Sequence, residues 1–127
     1  MKISLTEKNL NKMEFKELNE RVVNWANDKG ILEKATALSQ HSKTQEEVNE
    51  LHESLLAKRN NLENFIDSKG NYKNTLEEVK DAIGDILVTL LIQCKLQDLS
   101  ALECLDSALN IIEKRTGKMV DGVFKKD

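Results

Sequence analysis

Apolar residues recur at helical spacing along most of this chain. Phe15, Leu18, Val22 and Trp25 stand at i, i+3, i+7 and i+10, which predicts a first helix over roughly residues 6–27. Asp28-Lys-Gly30 is its expected stop, because glycine takes the left-handed conformation that closes a helix. A second helix can begin at Thr36, or at Ser42, where Ser42-x-x-Gln45 has capping-box spacing. The earlier start is preferred. It places Gln40, Lys43, Glu47 and Glu50 on one stripe and Leu38, Val48, Leu51 and Leu55 on the apolar one. The stretch from Asp67 to Asn74 is dense in turn formers and reads as a loop. Thr75-x-x-Glu78 is expected to cap a third helix running to about Asp98, and Ser100-x-x-Glu103 a fourth. Leu102, Leu105, Leu109 and Ile112 form the expected buried face of that fourth helix. Gly117 is its expected end, with Lys118–Asp127 a tail of little regular structure. The predicted fold class is all-α: a four-to-five-helix bundle forming a single domain over residues 1–127.

Composition supports that reading. Charged residues make up 32% of the chain and aromatics 4%, with no proline, which suits helices better than sheets. The net charge of −3 leaves no general basic field, so nucleic acid is not an expected partner. No apolar run approaches membrane-spanning length, and the N-terminus has no apolar signal core. Cys94 and Cys104 lack CxxC spacing and read as reduced thiols, so a cytoplasmic location is expected.

The third helix departs from a simple amphipathic pattern. Its expected core seam is Leu76, Val79, Ile83, Ile86, Leu87 and Leu90, which leaves Glu78, Asp81 and Asp85 on roughly the opposite side. Helical steps onward from those acids reach Val88 and Ile92, so the helix becomes apolar all round from Ile86. Such a helix is expected to be covered by a second subunit as well as by its own bundle. Asp85 thus enters an enclosed region, where an unpaired carboxylate is costly without a cation. Gly84, costing about 1 kcal/mol in a helix interior, suggests close approach by a backbone or ligand. Glu78 reads most simply as a cap, and Glu46 and Glu53 as surface charges.

Carboxylates at helical spacing on two helices favour a hard cation, Mg²⁺ with Mn²⁺ as an alternative. His41 and His52 do not follow a glutamate by three residues, so a di-iron bundle site is not supported. The Gly-x-x-x-x-Gly-Lys-Ser/Thr phosphate loop is absent from the sequence. Mg²⁺ commonly arrives with substrate phosphates, and Lys114, Arg115, Lys118, Lys125 and Lys126 supply complementary charge. Their plain structural reading is a solvated end that suits the helix dipole.

Trp25, Gln40-x-x-Lys43-x-x-Glu-Glu47-x-x-Glu50-Leu and Glu-x-x-Lys-Asp81-x-Ile-Gly-Asp85-x-x-Val, with Ile112-Glu-Lys-Arg-x-Gly-Lys-Met-x-Asp-Gly-Val-Phe-Lys125, resemble the MazG-like nucleotide pyrophosphohydrolases. The resemblance runs from about Val22 to Lys125 and is strongest to small single-domain, phage-type members. It implies an all-α NTP pyrophosphatase fold assembled as a homodimer or homotetramer. The implied reaction is Mg²⁺-dependent hydrolysis of a nucleoside or deoxynucleoside triphosphate to monophosphate and pyrophosphate. Glu47, Glu50, Asp81 and Asp85 are the implied metal ligands, and Glu46, Glu47 and Glu50 the implied catalytic acids. A glutamate of the second helix, Glu47 or Glu46, is the expected orienter of the attacking water. Trp25, Gln40, Lys43, Asn110, Arg115 and Lys118 match positions on the nucleotide side. Ala82, not glutamate, stands three residues before Asp85, so either Glu78-x-x-Asp81 or Asp81 with Asp85 completes the metal set. A non-enzymatic helical interaction module, antitoxin- or adaptor-like, is the rival reading.

Overall fold

Local capping chemistry decides where the helices begin. The computed structural model describes residues 14–127, so the predicted start of the first helix, residues 6–13, lies outside the described residues. Helix α1 spans Phe15–Asp28 and ends as expected, with Gly30 at φ 77°. A single turn, α2 (Ile31–Lys34), leads to Thr36. Thr36 accepts a hydrogen bond from the Ser39 amide, and the Ser39 hydroxyl accepts from the Thr36 amide, closing a capping box. Helix α3 (Ala37–Arg59) therefore has the earlier of the two predicted starts.

Two hairpins replace segments expected to be irregular. Strands β1 (Asn64–Ile66) and β2 (Tyr72–Asn74) pair antiparallel, with Phe65 opposite Lys73. Their tip is tied by Asp67, whose Oδ1 accepts from the amides of Lys69 and Asn71, and Gly70 turns the chain at φ 84°. At the chain end, β3 (Gly117–Val120) and β4 (Val123–Lys126) form a second hairpin where a tail was expected. Asp121 and Gly122, both at positive φ, make its two-residue turn, the Asp-Gly combination that matches strand twist. Gly117 opens β3 and does not end the preceding helix. A Cβ there would collide with the Lys125 carbonyl, so only glycine fits.

Helix α4 spans Thr75–Leu96, and Asn74 caps it by accepting from the Glu77 amide. The expected Thr75/Glu78 box does not form, because Thr75 is already inside the helix and its amide bonds the Glu63 carbonyl. Ser100 caps α5 (Ala101–Ile112) as predicted, accepting from the Glu103 amide. Predominantly helical is the result, with two small two-stranded sheets. Among the described residues, no helix is long and apolar enough to cross a membrane.

The main packing is α3 against α4, running antiparallel, since Ala37 meets Gln93 at one end and Glu50 approaches Asp85 further along. The faces that meet are not the apolar ones. From α3 the seam buries Gln40, Glu47, Ser54 and Ala57, and from α4 Thr75, Ala82, Thr89 and Ile92. Gln40 Nε2 donates to the Thr89 carbonyl at 3.0 Å. Thr89 Oγ1 donates to the Ile86 carbonyl at 2.7 Å and accepts from Thr44 Oγ1 at 2.9 Å. Most of the expected apolar stripe residues point outward, Leu38 at 79% exposed and Leu87 at 57%, while Leu51, Val79 and Ile86 are half-buried. Leu76, Ile83 and Leu90 of the predicted seam are also exposed, as are all four expected core residues of α5. The correction has a simple physical cause. Small and hydrogen-bonding side chains let two helix backbones approach closely, and the bulky residues remain for another surface. Among the described residues, Gly84 meets nothing within 4 Å of an added Cβ, so none of them accounts for the glycine.

Candidate metal centre

Glu47 and Glu50 lie one helical turn apart on α3 and face Asp85 across the seam. One carboxylate oxygen from each falls within 4.8 Å of the others. The cluster has a depth gradient: Glu47 is 7% exposed, Glu50 half-buried, and Asp85 exposed. Glu47 Oε1 pairs with Lys43 Nζ at 3.2 Å. Its Oε2 is buried and has no hydrogen-bond partner. A buried carboxylate oxygen without a hydrogen-bond partner is costly alone and would be satisfied by a cation. Three carboxylate oxygens from two helices could together hold a metal ion.

The electrostatics follow from this crowding. Burial pushes the Glu47 carboxyl above its usual value, the neighbouring Glu50 carboxylate adds to that, and Lys43 pulls the other way. Asp85 is likewise raised, first by burial and then by Asp81 and Glu50. Glu78 is raised by burial, against the pull of Lys73, and by Glu50 and Asp81. Glu46 behaves oppositely, because hydrogen bonds from Lys69 and Lys43 hold it below the usual glutamate range.

The other expected residues are distributed unequally. Asp81 is exposed and outside the tight group, although close enough to repel both Asp85 and Glu78. Glu78 does not cap its helix; it pairs with Lys73 at 3.7 Å. Glu46 is exposed beside the triad and bonded to Lys43 at 3.4 Å and Lys69 at 3.2 Å. Lys43 thus reaches the cluster directly. Gln40 is 5% exposed and occupied in holding the Thr89 carbonyl. Trp25 is exposed on α1, and Asn110 bonds Asp106 within α5. Asn110, Arg115 and Lys118 make no hydrogen bond or ion pair with the triad. Lys69 and Lys73, on the first hairpin, are the cluster residues that sequence reading passed over. A lysine in a turn carries no periodicity, and only the pairing of β1 with β2 shows where it returns.

No family model, curated protein or solved structure matches this chain.

Proposed function

We propose that the chain is a divalent-cation-dependent nucleoside triphosphate pyrophosphohydrolase, releasing monophosphate and pyrophosphate. The observation that carries the reading is the triad itself, with its buried and unpartnered Glu47 Oε2. Glu47, Glu50 and Asp85 would hold Mg²⁺, with Asp81 one helical turn before Asp85 on the same helix. Bound there, the ion would polarise the attacking water and offset charge on the leaving pyrophosphate. Of the two glutamates suited to orient that water, Glu47 has the higher proton affinity, because burial raises it while two lysines hold Glu46 low. Lys43, exposed at the rim, is placed to meet an incoming phosphate.

Assembly of the chain into a dimer or tetramer belongs to the same proposal. It is supported by the exposed apolar faces of α4 and α5, which run the length of both helices. A second copy would also bring the basic hairpin, with Lys118 directly opposite Lys125, to a site its own chain does not reach.

The deciding experiment is a nucleotide panel with Mg²⁺, scoring pyrophosphate against orthophosphate. Pyrophosphate release, lost in Glu50→Ala and Asp85→Ala with helical content retained, is the expected outcome. Full activity in either variant, or orthophosphate as the first product, rejects the reading. An interaction module without a site predicts no thermal shift with Mg²⁺ plus nucleotide, whereas selective binding stabilises by RT ln(1 + [L]/Kd).

A further inference from the structure

Lys69 holds an unusual position for a turn residue. Its Nζ lies 3.2 Å from Glu46 Oε1 and 3.2 Å from Glu50 Oε1, bridging an acid of the triad to its neighbour. The backbone around it is preset, since the Asp67 carboxylate ties both sides of the turn and Gly70 takes a left-handed conformation. Beyond Lys69, the hairpin tip touches α3 through one long bond, Ser68 amide to Glu53 Oε2 at 3.4 Å. The ammonium group thus makes two of the polar contacts between the tip and the helix.

Resting on the metal-centre reading above, we propose that Lys69 is a tethered cation that exchanges partners. In the metal-free protein it neutralises Glu46 and Glu50. A divalent ion held by Glu47, Glu50 and Asp85 takes over the Glu50 carboxylate, and Lys69 turns to the phosphates that accompany the ion. The exchange follows from charge. A divalent cation held by Glu50 would carry twice the charge of the ammonium now 3.2 Å from that carboxylate, and would compete with it and repel it. The freed ammonium stays within a side-chain length of the same carboxylates, where a compact flexible cation suits phosphate. Lys43, also placed to meet phosphate, differs in where it is anchored. It is anchored on α3 itself and pairs with Glu46 and Glu47 within the helix.

The test uses the full chain and Lys69→Met, which replaces a side chain that is 57% exposed and outside the α3–α4 seam, with helical content checked by circular dichroism. Calorimetric titration with Mn²⁺ alone should show binding about fivefold tighter in Lys69→Met, because the competitor for Glu50 is gone. With saturating Mn²⁺, pyrophosphate should bind about tenfold more weakly to Lys69→Met, with Lys69→Arg recovering most of the loss. Amide exchange at residues 67–71 should quicken when Mn²⁺ is added to the wild-type chain. Unchanged Mn²⁺ affinity in Lys69→Met, or unchanged pyrophosphate affinity, overturns the exchange while leaving the metal centre standing. A wild-type chain that binds no Mn²⁺ overturns both.

Discussion

Glu47 is pulled in two directions. Its position between two helices disfavours charge, while its partners in the triad are useful only if it is charged. Glu47→Gln should therefore raise the midpoint of thermal unfolding by a few degrees in chelator, by removing that conflict. The same change should weaken Mn²⁺ binding by at least about a hundredfold, read by titration calorimetry. The pH dependence follows from the same conflict. Glu47, Asp85 and Glu78 all have carboxyls raised in the folded chain, so the fold binds protons more readily than the unfolded chain does. Stability of the metal-free protein should then increase as pH falls from neutral toward the ordinary carboxylate values of 4.5 for glutamate and 3.8 for aspartate. Glu46 and Asp67, with lowered carboxyls, act below that window and reverse the trend there. Denaturant midpoints in chelator from pH 7 to 4 will show a rise if the sign is right. Mn²⁺ affinity should fall over the same range. Glu-x-x-Glu on one helix and an aspartate on the next are spacing signals, so the nearness of Glu47, Glu50 and Asp85 was legible at this scale. The enclosure expected around Asp85 is not found, since Asp85 is exposed. Lys69 was not legible, because its place depends on a turn and not on a period.

Among the elements, two helix starts governed by a side chain were readable, a third was expected at Thr75 where Asn74 is the cap, and strand pairs were not readable. Thr36 and Ser100 cap as their sequences suggest, since the acceptor and its amide are within one turn. The second hairpin was also written locally, in Val120-Asp-Gly-Val123, but its strands are four residues each and carry lysines that mask alternation. Gly84 illustrates the opposite error, a local oddity read as a contact that the described residues do not make. Gly84→Ala should stabilise the chain by about 1 kcal/mol in urea unfolding, as for alanine replacing glycine within an open helix. A loss of stability would instead show that a neighbouring copy packs on that side.

For the whole molecule, the unexpected finding is which face of each long helix turns inward. Periodicity reports that a helix has an apolar side and says nothing about what covers it. Leu38 and Val48 on α3, Leu76, Ile83, Leu87 and Leu90 on α4, and four residues of α5 are exposed in a single chain. That much apolar surface predicts self-association, visible as a dimer or larger species in sedimentation velocity. Leu87→Glu should weaken that association by about tenfold or more and lower thermal stability with it.

The seam between α3 and α4 has one more consequence. Grease tolerates slippage, but directional bonds do not. Sliding α4 along α3 by one turn, about 5.4 Å, would break Gln40 from the Thr89 carbonyl and Thr44 from the Thr89 hydroxyl together. It would also carry Asp85 away from Glu47 and Glu50 by more than the 4.8 Å that now contains all three oxygens. Gln40, Thr44 and Thr89 therefore act as a ruler, and the spacing of the carboxylates is a measurement the helices make on one another.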